Sequence, residues 1–323
     1  MHFPTDINLL WDAIRKTLQT CRQLCETSGL TEWRQSAYLL RTFKKSYRHI
    51  QKLKHSTSQD ETKRQAKQDQ IIDAHRVYIG QAESYLQRAY ATRLRLKNDY
   101  AVPSHSLLEL DGYLNHAERQ IDQIRRRVLQ GERIPHEEKV FSIFQPHTEW
   151  ICKGKAGVPV ELGLRVCVVE DQYRFILHHQ VMEKTTDDQI AVAIVKETQT
   201  RFSCLHTISM DKGFHSKTNQ TELKEILKRV VLPKKGRLSE ADKARESDPE
   251  FTVVRRQHSA VESAINALEV HGLDTCPDHG IQGFKRYVAL AVVARNVQRL
   301  GAVLRQQEQQ QADRRRGPYK KAA

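Results

Sequence analysis

Two hydrophobic periods divide the chain. In the first part, Ile7, Leu10, Trp11, Ile14, Leu18, Cys21 and Cys25 recur at three- and four-residue spacing, as do Trp33, Ala37, Leu40, Phe43, Tyr47 and Ile50. The clearest stripe is Leu107, Leu110, Leu114, Ala117, Ile121, Ile124 and Val128, which alternates threes and fours like a coiled-coil seam. Residues so spaced share one side of a 3.6-residue helix, so each stripe predicts an amphipathic helix with a packing face. The polar stretch from Lys52 to Gln70 predicts a helix extension or turn region, and Pro103 with Ser104 marks a break and a helix start. Residues 1–135 are expected to form a helical bundle or long hairpin.

After Gly131 and Pro135 the period shortens. Val140 to Phe144, Val160 to Val169 and Tyr173 to Met182 are short runs of β-branched and aromatic residues, with Glu170-Asp171 as a tight connection between the last two. They predict antiparallel strands. A helix is expected from about Thr186 to Phe202, with Thr186 as N-cap and Asp187 and Asp188 in its first turn, where carboxylates favour the positive end of the helix dipole. A strand from Leu205 to Met210 ends at Asp211. Then come a helix from about Lys217 to Val231, an exposed basic loop from Pro233 to Glu250, and helices near 258–270 and 281–305. Strands first, then helix and strand in alternation, predict a mixed α/β core over 136–305. The polar, basic stretch 306–323 is expected to be a disordered tail.

Charge adds a partner to this picture. The 323 residues carry 53 Lys plus Arg against 39 Asp plus Glu, a net charge of +14. Such an excess favours a polyanion, because each phosphate neutralised releases condensed counterions. Lys44, Lys45, Arg48, Lys52 and Lys54 form a basic face opposite Phe43, Tyr47 and Ile50; Lys153 and Lys155 flank Gly154; Lys234, Lys235 and Arg237 make a third patch. These are the candidate phosphate contacts, which fix position without reading sequence. The six cysteines form no C-x-x-C pair, and Cys276 with His279 lacks the further ligands of a zinc site. The N-terminus shows no signal-peptide pattern and no run reaches the length of a membrane span, so a reduced, cytoplasmic protein without membrane contact is expected.

Two carboxylates are candidates for chemistry. Asp211 ends an apolar strand before Lys212-Gly213, the place where α/β sheets usually put ligands, although Asp-x-Gly is also common turn chemistry. Glu262 stands beside the Val261, Ile265 and Leu268 stripe of a helix, and Glu269, seven residues on, occupies nearly the same face. Carboxylates brought together from a strand and a helix can hold two divalent ions that activate the attacking oxygen and stabilise the leaving one in phosphoryl transfer.

A resemblance gives these residues roles. Arg255-Arg-Gln-His-Ser-Ala-Val-Glu262-Ser-Ala-Ile-Asn-Ala-Leu-Glu269, His271-Gly-Leu-Asp-Thr-Cys-Pro-Asp-His-Gly280, Gly283-Phe-Lys-Arg-Tyr-Val288 and Ala294-Arg-Asn-Val-Gln-Arg-Leu-Gly301 resemble the C-terminal block of DDE transposases of the ISNCY group of insertion sequences. Ser142 to Lys155 with Pro159-Val-Glu-Leu-Gly163 is similar to that family's central block, and His2-Phe-Pro-Thr-Asp6 with Leu9-Leu-Trp-Asp12 to its segment after the first core strand. The resemblance implies an RNase-H-like core with an Asp–Asp–Glu triad holding Mg2+ or Mn2+, the second acid being Asp211 and the third Glu262. It implies transposon-end and target DNA as partners, homo-oligomers on DNA, and a bacterial cytoplasm. The family's first acid lies on a strand preceding the His-aromatic-Pro-Thr-Asp segment, where this chain begins. A truncated transposase is therefore expected, with Asp6, Glu149 and Glu269 as possible substitutes in the metal site and Val140–Phe144 as possible filler for the absent strand. The alternative expectation is an inactive DNA-binding protein that inhibits a full-length relative; a helical scaffold with an unrelated nuclease is a third.

Overall fold

A computed structural model describes residues 3–100, 102–152, 159–273 and 275–316. The side chains of 99, 259, 260, 262, 271 and 316 fall outside the description. The protein is mostly helical with small sheets, a mixed α/β chain, and it divides into two units between Thr148 and Glu149.

The first unit is built from α1 (Asp6–Thr27), α2 (Ser36–Lys52), α3 (Glu61–Asp99) and α4 (Ser104–Ile124). Thr5 caps α1 by accepting from the Asn8 amide, and Asp60 caps α3 by accepting from Thr62 and Lys63. The predicted stripes become one core, except for Ala37, which is exposed. Leu10, Ile14, Leu18 and Cys21 of α1 pack with Leu110, Leu114, Ala117 and Ile124 of α4, all fully buried. Burial of each leucine or isoleucine contributes roughly 1.5–3 kcal/mol relative to exposure. Trp11 stacks on Tyr47 and Phe43, and Phe43 on Tyr78, with ring centroids 5.4, 5.8 and 4.5 Å apart. Trp33 is not on the α2 stripe as its spacing suggests. It sits in a left-handed turn (φ 63°) before the helix, buried, with Nε1 donating to Thr92 Oγ1 at 2.9 Å and the Arg88 guanidinium 4.2 Å over its ring.

The expected strand Val140–Phe144 is absent. Ile143 instead completes the helical core, and Ser142 Oγ accepts from the amides of Phe144 and Gln145 to form a local turn. Gln123 Nε2 donates to the Glu138 carbonyl at 2.7 Å, and Arg126 binds Asp122, Glu132 and Glu138, tying the segment after α4 back to it. This is why the unit extends to Thr148 rather than ending near 135.

The second unit opens with β1 (Glu149–Cys152) and β2 (Val160–Gly163), an antiparallel pair. Next come β3 (Arg165–Glu170) and β4 (Ile176–Met182), antiparallel from Arg165↔Met182 to Glu170↔Ile176. Their turn is longer than Glu170-Asp171: Asp171 Oδ1 accepts from the amides of Tyr173 and Phe175, and Arg174 takes φ 69°. Helix α5 (Asp187–Arg201) starts with a capping box between Thr186 and Gln189. β5 (Thr207–Ser209), α6 (Lys217–Ile226) and β6 (Arg229–Val231) follow, with β5 and β6 parallel. The predicted helix over 217–231 thus stops at Ile226, because the Val230-Val231 backbone pairs with β5. The predicted basic loop contains α7 (Glu240–Glu246), capped by Ser239 and Asp242, and then α8 (Pro249–Leu268), capped by Asp248 with Pro249 in its first turn. After a kink at Gly272 (φ 100°), α9 runs from Gly280 to Arg316. It enters the expected disordered tail because Arg305 to Arg316 contains good helix formers and no glycine or proline. Residues 317–323 lie outside the described residues.

α5 joins the strand pairs. Its buried Ala191, Ile194 and Val195 share one cluster with Cys167 and Val169 of β3, with Ile208 of β5 and with Met210 just beyond it. Yet β3 and β5 are not hydrogen-bonded to each other: among the described residues the pairs are β1–β2, β3–β4 and β5–β6.

Candidate catalytic carboxylates and nucleic-acid interface

Asp211 directly follows the β5–β6 ladder, which the Met210 amide extends by donating to the Val231 carbonyl at 3.0 Å. The Asp211 side chain is exposed, and its Oδ1 accepts from the Lys212 amide at 2.7 Å to cap the single turn Lys212–Phe214. That turn is held to the head of α5. Asn219, buried in α6, donates through Nδ2 to the Asp188 carbonyl at 2.6 Å and to the Phe214 carbonyl at 2.9 Å. A Cβ at Gly213 would lie 2.5 Å from Asp187 Oδ2, so a side chain there requires Asp187 to move. Burial, followed by the Asp187 charge, pushes the Cys167 thiol up to about 12. Asp187 is therefore an acidic neighbour of both β3 and the turn after Asp211. In sequence it reads only as a first-turn helix charge.

Glu262 lies on α8, the helix that packs against β5 and β6; its side chain is outside the described set. α8 is anchored at its start by Glu250, paired with Arg229 of β6, and at its end by Leu268, buried against Ile176 and Val292. Glu269 is exposed at the end of α8. The other two expected substitutes are engaged elsewhere. Asp6 makes a two-pronged pair with Arg127 at 2.7 and 2.9 Å. Glu149 accepts from the Lys184 amide and lies 3.7 Å from Arg165. Cys276 makes a weak bond to the Asp278 carbonyl. Among the described residues no three His, Cys, Asp or Glu side chains are grouped to hold a metal ion. Asp211 and Asp187 offer hard oxygen ligands of the kind magnesium takes, but they are not a complete site, and no step through a metal follows from them.

The basic residues separate into three cases. On α2, Arg41, Lys44, Lys45, Arg48 and Lys52 are all exposed, in a helix without Asp or Glu, and form no ion pair among the described residues. Their spacing of three, one, three and four makes a single stripe about 16 Å long. Arg41 belongs to it although the charge clustering further along the helix draws attention away. Lys44 Nζ also stands 5.9 Å over the Trp11 ring. Lys54, beyond the helix end, is exposed as well. In the third patch Lys234 is not a free cation, because Asp242 pairs with its ammonium and Glu246 accepts from its amide. Lys235 and Arg237 remain exposed around Gly236, whose φ of 88° makes the turn. Lys153 and Lys155 lie outside the described residues.

No protein-family model, curated protein or solved structure matches this chain.

Proposed function

We propose that the protein acts on DNA as a transposase of the DDE type, with β3–β4, α5, β5, α6, β6 and α8 forming an RNase-H-like core. The observation that carries this reading is the position of Asp211 at the carboxyl end of β5, in a parallel pair against which α8, the Glu262 helix, is packed. A carboxylate at a strand end, beside a helix whose sequence carries a second one, suits metal-assisted strand cleavage and transfer. The α2 stripe supplies sequence-tolerant phosphate contacts.

A second reading has its own support. Among the described residues β3 and β5 pack against the same helix without pairing with each other, and no three-ligand metal group is assembled. A core of this kind binds DNA without cutting it and competes with an active relative for the same ends.

One set of measurements separates the two. Binding to labelled duplex DNA should weaken with salt, and Lys44→Glu, Lys45→Glu and Arg48→Glu together should lower the slope of log K against log salt by about 3. Salt-independent binding refutes both readings. Cleavage or strand transfer with Mg2+ or Mn2+ that is lost in Asp211→Ala establishes the transposase. Salt-sensitive binding without cleavage establishes the second reading.

A further inference from the structure

Helix α9 is apolar on two faces, and among the described residues only one is covered. The covered face carries Val288 and Val292, which are buried, and Asn296, whose side chain accepts from the Ile176 amide and donates to the Ile176 carbonyl, both at 2.9 Å. Arg299 Nε adds a bond to the Tyr173 carbonyl at 2.8 Å. These contacts fix α9 to the β3–β4 hairpin. Away from them run Leu290, Val293, Val297, Leu300 and Leu304, each 47–66% exposed. Their spacing of three, four, three and four is the seam repeat of packed helices.

We propose that this stripe is the interface through which two copies of the chain pair, α9 against α9. The seam repeat itself selects a helix as occupant, since threes and fours set knobs opposite holes only on another helix. A stripe that faces its own copy about a two-fold axis is self-complementary, residue i meeting j and j meeting i. Charge favours the same partner. The chain as a whole is +14, yet the seam and its flanks at Ala289, Ala294, Gly301 and Val303 are uncharged, so two copies meet there without repulsion. Area agrees. The five side chains expose on the order of 400–500 Å² of apolar surface, at the upper end for a monomer patch, and two copies together approach the ~1,000 Å² that a specific interface needs.

The seam is only about two heptads long, too short to hold isolated helices together. Here the helix is already ordered by its other face, so pairing does not have to fold it. The same segment is long and apolar enough to cross a membrane by composition. Arg295 and Arg299 lie inside it, however, facing Glu170, and entry into a bilayer would break the bonds to Tyr173 and Ile176. The inference does not depend on the proposed activity on DNA.

Sedimentation equilibrium of the full chain, at moderate salt to screen its charge, tests it. A dimer is expected at tens of micromolar. Leu290→Gln, Val297→Gln and Leu304→Gln combined should weaken it by about tenfold or more while leaving the far-UV circular dichroism unchanged. Gln306→Ala with Gln309→Ala, off the seam, should leave it intact. A monomeric wild type overturns the proposal, as does a dimer that survives the triple substitution. Flotation of the monomeric wild type with phosphatidylcholine vesicles, abolished by that substitution, assigns the stripe to a lipid surface and overturns it too.

Discussion

Replacing Asn219 by alanine removes the clamp between the Asp211 turn and α5 while leaving the rest of α6 in place. Nδ2 gives its two protons to the carbonyls of Asp188 and Phe214, and the side chain is buried. The backbone amide of Asn219 still reaches Ser216 Oγ, so the cap of α6 survives. Each lost bond is worth about 1 kcal/mol net, and a carbonyl left without its donor adds to that, for a total of about 2–3 kcal/mol. At 2–4 °C per kcal/mol for a unit of this size, the melting temperature should fall by roughly 4–12 °C. Asn219→Asp is the stricter variant, because it keeps the shape and turns an acceptor towards two acceptors. Hydrogen exchange resolved by residue is the assay. The amides of Phe214 and His215, which donate to Asp211 and Lys212 carbonyls, should exchange faster in both variants than in the wild type. If these amides keep their protection and the melting temperature moves by less than about 1 °C, the clamp does not hold the turn and the reasoning fails.

Two further expectations concern single contacts. Gly213→Ala forces Asp187 out of its rotamer and should cost about 1 kcal/mol, and Asp187→Ala should remove that cost in the double variant; equal costs with and without Asp187 would show that the backbone, not the carboxylate, resists the change. In the first unit, burial is the main cause holding the His75 pKa below its ordinary value, and the same holds for His116. His75 is hemmed by Arg127, Asp6 and His55 through charge, with Nδ1 on the Ile71 carbonyl, and its Nε2 is buried without a partner. A histidine kept neutral in the fold but free to protonate when unfolded gives stability that is complete above the unfolded value, near 6.5, and falls as pH drops below it. Urea midpoints measured on either side of that value should therefore decrease towards acid, and His75→Gln should flatten the trend; an unchanged slope in the variant would remove His75 from the account.

What the chain reveals in advance depends on how far each element leans on its neighbours. The stripes of α1 and α4 were readable because a long apolar face is a local property that survives into the core, as Leu10 with Ile14 and Leu110 with Leu114 show. β5 and β6 were not both readable. Three residues are too few for a period of two to register, and Leu223, Ile226, Leu227 and Val230 continue a helical spacing that only pairing with β5 interrupts. Val140–Phe144 failed for the opposite reason: its residue types suit a strand, but no strand pairs with it and Ile143 finds a place in a helical core. For the candidate site, Asp211 was legible from its position after an apolar strand. Asp187 was legible only as a helix-capping charge, since its approach to Gly213 is created by the fold of α5 over β5. Lys234 looked free because its partner Asp242 belongs to α7, a helix hidden in a stretch that reads as basic loop.

Unpaired strand edges invite association. The edges of β3 and β5, which pack against α5 without pairing with each other, are poor templates for such growth. β5 has three residues, and β3 has six but begins with Arg165 and ends with Glu170, charges that a neutral strand would have to bury. At the start of β4, Asn296 satisfies both backbone groups of Ile176 in the manner of a neighbouring strand. The apolar stripe of α9 has no comparable guard: five large side chains in register, no charge among them, on a helix held rigid from behind. Assembly of this protein should accordingly respond to substitutions at Leu290, Val297 and Leu304 and be indifferent to added charge on β3, for example Val166→Lys, a half-buried position outside the apolar clusters that hold α5 and α9, with its solubility and size distribution followed side by side. Aggregation relieved by the β3 change and not by the α9 changes would locate the sticky surface at the sheet edge and reverse this ranking.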